Sequence, residues 1–555
     1  LSFNGDSRPF ITMEVPLEPI EFTGDAEQAL ASIIGSLRSG NNADLTSRVI
    51  HVSQHGSLEE KALGRAAMAQ DMFEVCNLGS LPEPLRSLEI RKQGKWGPFS
   101  RRTPMFTDAL VGDSLHKQTL SYFAPRKPCH FDNDPLRYAD GYVSAMYPVS
   151  RKGRLSPLDL EVAAGSFHKS GLGFPVVSSN VERYFNEVLG ISRKIWDSDC
   201  DLGWVAVLFG LAGYRGQPLG PPHPDSNPGN YSKTRLIYMM PRALANLEKT
   251  IQKPLFDNLK YTPAYCAWLS SHAVDVEMTR LLSSGKRILS IDFKRFDTSI
   301  PNEVLTKVYN IYRSWFVPEA DPLIAFAEEV VKRTGIIIPD VNGEGPDYEV
   351  LPGAARTGGM PSGCVMTNMT DSNVNAWVMA YTAKKLKTTI RAGYFQGDDG
   401  AIIFDGDPSL EDIAGVLSTT FGMTLSVDKC SYERGSVQFL QNFHSLQFME
   451  DDLARGIRPI MHAGNAMASY ERMDDSEWRS DDYETIRLCQ QAGYCLYHPS
   501  ATELCDWLME NDLYAKSILR RVKRDPDFYA KACEAVRRKD SNSQKGFSPQ
   551  SLWAS

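Results

Sequence analysis

Apolar positions along this chain follow two rhythms, and the alternation between them predicts a mixture of helices and short strands. Spacings of three and four link Leu30, Ile33, Ile34 and Leu37 up to Gly40, and recur from Leu58 to Leu78 before Gly79. They return from Ala243 to about Leu282 and from Leu410 to Phe421 before Gly422, so four helical stretches are expected there. Period two governs Tyr231 to Pro241, which predicts a strand, while the β-branched content of Ile288–Ile291 predicts a short buried strand. Met423 to Cys430 and Val437 to His444 are two further strand candidates. Residues 132–217 show neither rhythm clearly, and residues 216–230, dense in Gly and Pro, form a loop by composition. From about His462 the pattern turns helical, with Ser500 and Glu503 spaced as a capping box, and a polar tail begins at Arg537. No internal repeat is visible.

One stretch departs from both rhythms. Tyr394-Phe395 and Ala401–Phe404 read as apolar strands, and Gly397-Asp398-Asp399-Gly400 places turn chemistry between them. The product is a hairpin with two carboxylates at its tip. Adjacent carboxylates repel, so folding gains nothing from them and a divalent cation is their natural companion. An exposed polar turn is the plainer alternative. Asp292 falls at the C-terminal end of the Ile288–Ile291 strand, with Asp297 five residues on, and a carboxylate at a strand end beside an acidic hairpin makes a metal cage.

Other stretches carry complementary chemistry. Lys233 and Arg235, two apart on a strand, share a face next to the Gly/Pro loop and suit a triphosphate, though a solvated strand face would look the same. Residues 358–377 open as a Gly/Pro/Ser loop and continue as a helix rich in hydroxyl and amide side chains. That composition is foreign to an ordinary core helix and predicts a polar ligand along it.

The bulk numbers narrow the class. With 555 residues and 42% hydrophobic content the chain is a folded protein of several subdomains. The longest apolar run, Trp204 to Gly213, falls short of the roughly 20 residues of a membrane helix, and the first residues lack the pattern of a secretory signal. The ten cysteines include no Cys-x-x-Cys pair, which fits reduced, structural thiols in an intracellular setting. A net charge of −8 does not advertise nucleic-acid binding, so an RNA or DNA partner would need a basic internal channel. Arg86, Arg91, Lys92, Lys95, Arg101 and Arg102, interleaved with Trp96 and Phe99, fit either a nucleic-acid groove or a solvated basic face.

Taken in order, these pieces resemble the palm-domain RNA-dependent RNA polymerases of RNA viruses over residues 233–444. Asp292 and Asp297 match motif A, Ser362, Gly363 and Thr367 motif B, Gly397-Asp398-Asp399 motif C, Lys429 the motif D lysine, and Val437 to His444 motif E. Lys233 and Arg235 stand where motif F would be. Four residues after Thr367, where many positive-strand enzymes carry Asn, this chain has Asp371, followed by Ser372 and Asn375. That pattern resembles partitivirus and picobirnavirus polymerases, which serve double-stranded RNA genomes, and leaves the ribose contact to Asp371 or Asn375.

The resemblance implies an α+β right hand, its antiparallel palm sheet packed on helices and its fingers and thumb encircling the site as a closed hand. Residues 1–284 would form the N-terminal region and fingers, 285–465 the palm with a fingers segment inserted around 310–355, 466–539 a helical thumb and 540–555 a tail. It further implies RNA-directed RNA synthesis with two Mg²⁺ ions, replaceable by Mn²⁺, on Asp292 and Asp398, with Asp399 secondary and Lys429 as general acid. Lys233 and Arg235 would hold the triphosphate. Asp297, Thr367 and Asp371 or Asn375 would read the ribose, and Ser362 and Gly363 would let their loop follow the template. Partners would be template and nascent RNA, ribonucleoside triphosphates and a capsid protein, with no membrane, in the virion interior or host cytoplasm, and synthesis would start without a primer. In the thumb, Arg520, Arg521, Lys523 and Arg524 would face duplex RNA or solvent. Two other classes compete: a reverse transcriptase, separated by its choice of dNTPs, and a non-enzymatic RNA-binding or capsid-associated protein, separated by metal-dependent incorporation.

Overall fold

The computed structural model describes residues 78–96, 126–165, 172–174, 181–215, 235–339, 348–351, 356–460 and 495–503, with a few single positions besides. The helices expected before residue 78, the loop 216–230, Lys233, most of the thumb and the tail lie outside the described residues. In chain order the main helices are α1 (Glu83–Trp96), α2 (Asn133–Ser144), α3 (Val181–Asp197), α4 (Arg242–Leu259), α5 (Ser271–Ser283), α6 (Asn302–Trp315), α7 (Asp321–Arg333) and α8 (Thr367–Lys385). The strands are β1 (Gly210–Arg215), β2 (Arg235–Met239), β3 (Ile288–Ile291), β4 (Ile336–Pro339), β5 (Tyr348–Leu351), β6 (Ile390–Gln396), β7 (Asp399–Phe404), β8 (Ser431–Glu433), β9 (Ser436–Phe439) and β10 (Asn442–Ser445).

Strands β6, β7, β3 and β8 form an antiparallel sheet in that order. Apart from Ser290, its inner strands are apolar over residues 288–291 and 401–404 because both faces are covered. Leu289, Ile291, Phe395, Ile402 and Phe404 point to one side, into the core shared with α2, α6 and α8. Ile288, Tyr394, Ala401 and Ile403 point to the other, against Met278, Leu281 and Leu282 of α5 and Val437 and Phe439 of β9. A second sheet, β2-β1-β4-β5, joins strands from before and after Asp292. The fold is thus mixed helix and sheet, with the palm-like sheet antiparallel throughout.

Helix α6 shows why these segments are helical. Val304, Leu305, Val308, Tyr309, Ile311, Tyr312 and Trp315 recur at helical spacing and are all buried, while Arg313 on the flank bridges to Asp321 and Glu328 of α7. At the other end of the described chain, Glu89 of α1 is fully buried. Its Oε1 accepts the Ile460 N–H at 2.7 Å and meets His498 Nε2 at 3.1 Å, and Leu81, Leu85 and Leu88 pack on Phe443 and Ile457 beside it.

Two strand expectations need correction. Met423 to Cys430 is not a strand: Leu425 makes a single bridge to Phe293, and Lys429 and Cys430 both donate their N–H groups to the Ser426 carbonyl, closing a turn that leaves Val427 exposed. Val437 to His444 is not one strand but the hairpin β9–β10, folded at Leu440 and Gln441, which take φ values of +53° and +64°. Side chains other than Gly, Asn or Asp seldom adopt that conformation, so the composition gave no turn signal.

Candidate active site

The acidic hairpin forms as expected, with a tighter turn. Gln396 pairs with Asp399, so Asp399 and Gly400 belong to β7 and only Gly397 and Asp398 form the turn. Gly397 sits at φ +60°, where a residue with a side chain would be strained. Ile291 of β3 pairs with Gly400. Asp292, one residue further on, therefore leaves the sheet beside Asp399 and the turn, at the same sheet edge.

Asp292 is gripped through its backbone. Its N–H donates to Cys430 Sγ at 3.4 Å and its carbonyl accepts the Ser426 N–H at 2.8 Å. Its side chain is half-exposed and lies 3.3 Å from Lys429 Nζ. The Ser426–Cys430 turn therefore carries the expected cation to the first carboxylate. Asp297 follows in a short helical turn, after Arg295 at φ +52°, and its carbonyl accepts the Met360 N–H at 2.7 Å, tying the two motif loops together.

The loop before α8 is held from several sides. Thr367 Oγ1 donates to the carbonyls of Pro361 and Cys364, and Glu248 of α4 accepts the Val365 N–H at 2.9 Å. Gly363 has no room for a side chain: a Cβ there would lie 1.9 Å from the Tyr238 carbonyl oxygen. Ser362 and Gly363 are themselves exposed.

Helix α8 is buried from Met369 to Ala383 despite its polar content. Much of the polar ligand expected along it is the protein itself. Tyr265 donates to Asn373 Oδ1 at 2.7 Å, and Asn373 Nδ2 donates to Tyr312 Oη and the Met369 carbonyl. Ser372 Oγ accepts the Gly397 N–H at 2.8 Å, and Asn375 Nδ2 donates to the carbonyls of Gly397 and Asp399. Asp371 differs from these. It is buried with an Oδ1 that has no hydrogen-bond partner, and burial, reinforced by the charges of Asp297 and Asp398, pushes its carboxyl well above the usual range.

Asp292, Asp297, Asp398 and Asp399 thus gather excess negative charge at one sheet edge, with the Asp371 carboxyl and Lys429 beside them. Among the described residues no three acidic, His or Cys side chains close into a complete metal cage. The donor set nonetheless fits a hard divalent cation, because carboxylate oxygens are its preferred ligands and a site open to substrate keeps places for phosphate oxygens and water. The backbone of Arg235 pairs with Arg215 in the second sheet, while nothing is described of its side chain. Arg520 and Arg524 are exposed, and Arg521 and Lys523 lie outside the described residues. Sequence reasoning missed Glu248, Asn368 and Cys430 and gave Ser372 no role, although Asn368, Ser372 and Cys430 sit inside or next to motifs already singled out.

Comparison with known proteins places this arrangement. Residues 230–463 match the family model described as viral RNA-dependent RNA polymerase. A potential RNA-dependent RNA polymerase of human picobirnavirus (strain Human/Thailand/Hy005102/-) is 24% identical over 313 residues, covering 54% of this chain and 54% of that protein. The alignment thus spans about half the length of this relative. Among solved structures, an insertion-loop deletion mutant of a human picobirnavirus RNA-dependent RNA polymerase matches with a TM-score of 0.64 at 18% identity, covering 84% of this chain and 92% of that one. A second structure of such a polymerase matches with a TM-score of 0.63 at 20% identity, covering 82% of each chain. Residues 230–463 are therefore similar to the viral RNA-dependent RNA polymerase family, and the chain shares its fold with picobirnavirus polymerases.

Proposed function

We propose that this chain is an RNA-directed RNA polymerase that replicates and transcribes a viral, double-stranded RNA genome, starting without a primer inside a capsid. The observation that carries the reading is the meeting of Asp292, at the end of β3, with the Gly397–Asp398 turn at one edge of an antiparallel sheet, beside Lys429 and helix α8.

Asp292 and Asp398 would hold two Mg²⁺ ions, or Mn²⁺, with Asp399 alongside; when bound, these ions acidify the attacking 3′-hydroxyl and neutralise the departing pyrophosphate. Lys429, now paired with Asp292, would donate a proton to that pyrophosphate. Lys233 and Arg235 would orient the triphosphate, a positioning role of the kind that dominates phosphoryl transfer. For sugar choice, Thr367 and Asn375 spend their donors on main-chain carbonyls. Asp371 keeps an unpartnered oxygen and faces Asp297, so these two carboxyls would frame the ribose and lose a partner when the 2′-hydroxyl is absent.

The decisive assay is Mg²⁺- or Mn²⁺-dependent incorporation of ribonucleotides by purified protein on single- and double-stranded RNA without primer. Asp398→Ala is expected to abolish incorporation while RNA is still bound. Incorporation by that variant at the wild-type level would refute the metal assignment, and a preference for dNTPs would point to a reverse transcriptase.

A further inference from the structure

The turn that presents Asp398 has backbone groups pointing back into the protein, and helix α8 meets them. Ser372 Oγ takes the Gly397 N–H at 2.8 Å, and its own hydroxyl donates to the Asn368 carbonyl at 2.7 Å. Asn375 Nδ2 reaches the Gly397 carbonyl at 3.0 Å and the Asp399 carbonyl at 3.2 Å, on either side of Asp398. One turn nearer the start of α8, Asn368 Oδ1 accepts from Gln396 Nε2 at 3.2 Å and from Trp268 Nε1 at 2.8 Å. Positions 368, 372 and 375 are four and three apart, so they share one face of the helix. Ser372 and Asn375 are fully buried, and Asn375 Oδ1 has no hydrogen-bond partner, so the two donated bonds are what the structure shows in return for burying this amide.

We infer that Ser372 and Asn375 are positioning residues for the reaction: they clamp the Gly397–Asp399 backbone to helix α8 and so fix the direction in which Asp398 and Asp399 present their carboxylates. Without the clamp, the neighbouring carboxylates of Asp398 in the turn and Asp399 at the start of β7 would splay apart by mutual repulsion. With it, the turn and the helix that carries Asp371 move as one body. This inference rests on the polymerase reading above for its catalytic meaning, while the clamp itself is a statement about the apo protein.

The test compares Ser372→Ala and Asn375→Ala with Thr382→Ala, a buried hydroxyl on the same helix that does not touch the turn. Three readouts are taken: amide hydrogen exchange of the peptide spanning residues 394–402, Mn²⁺ affinity without RNA, and steady-state incorporation. Both clamp variants should speed exchange at Gly397–Asp399, weaken Mn²⁺ binding, and lower kcat by about tenfold or more while the NTP KM moves less than about twofold. Thr382→Ala should leave all three unchanged. If Asn375→Ala does not fold, Ser372→Ala carries the test, since it removes a single oxygen atom. Active wild type with clamp variants unchanged in exchange and kcat overturns the clamp alone. Wild type that incorporates nothing overturns the polymerase reading and the catalytic role of the clamp with it, and the exchange data then decide whether the clamp exists.

Discussion

Glu248 offers a pH test that reaches the motif loop from beneath. Its side chain is buried on α4, with Oε2 accepting the Val365 N–H at 2.9 Å and Oε1 without a hydrogen-bond partner. Tyr309 of α6 and the Cys364 thiol face it, and Arg356 lies near that thiol. Burial pushes the carboxyl from 4.5 to about 8, and the bonds from Val365 and Cys364 only partly oppose it. Because the folded value is the higher one, the native state keeps a proton that the unfolded chain releases. The resulting stabilisation is complete below the ordinary carboxyl range, shrinks by about 1.4 kcal/mol for each pH unit above it, and is gone once pH passes the folded value. Glu248→Gln keeps an acceptor for Val365 and cannot ionise, so it removes only this slope. Between about pH 5.5 and pH 8, wild type should lose about 3 kcal/mol more stability than the variant, as followed by urea unfolding at each pH. Parallel pH profiles for the two proteins would refute the argument. A profile in which wild type gains stability with rising pH relative to Glu248→Gln would show that the carboxyl is ionised in the fold.

Three further outcomes are expected. Asp297→Ala should narrow the preference for ribonucleotides over deoxyribonucleotides by about tenfold or more, since the Met360 bond to its carbonyl is kept and only the side chain is lost; an unchanged ratio in competition assays would remove Asp297 from sugar recognition. Gly363→Ala should cost about tenfold or more in kcat/KM, because the new methyl meets the Tyr238 carbonyl and displaces the loop; wild-type kinetics would mean that the loop does not need this approach. Trp377→Ala should destabilise the protein by about 3–5 kcal/mol in denaturant melts, as it empties a buried site against Tyr381 and leaves Asp140 without the indole donor at 2.7 Å; a loss below about 1 kcal/mol would contradict the packing.

Where the backbone obeys local rules, the primary structure was readable. The Ile288–Ile291 strand was placed to the residue, since a short, mostly apolar segment with β-branched ends favours a strand. The acidic hairpin announced itself through Gly397, whose positive φ needs a glycine or a close substitute. The β9–β10 hairpin did not, because Leu440 and Gln441 adopt left-handed backbone under the compulsion of packing and carry no turn chemistry. The strand expected at Met423–Cys430 failed for a related reason: the demand that Lys429 and Cys430 reach Asp292 bends the segment, and that demand comes from residues far away in sequence. The same limit applied to α8. Its amide and hydroxyl content was correctly seen as foreign to a plain core helix, yet composition does not distinguish a ligand from a neighbouring backbone. Only the fold shows that Ser372, Asn373 and Asn375 spend their bonds on the protein, whereas Asp371 keeps an oxygen in reserve.

The Glu89 contacts bear on the order in which the protein is made. Two contacts of this buried carboxyl group come from partners 371 and 409 residues further along the chain. Translation delivers Glu89, on α1, 371 residues before Ile460 and 409 residues before His498. Until those two emerge, this carboxylate has every reason to stay in water, since burying it without those partners is costly. The docking of α1 is therefore a late event in the life of the nascent chain. A ribosome stalled before His498 would hold a complete β6-β7-β3-β8 sheet while α1 still waits for its seat.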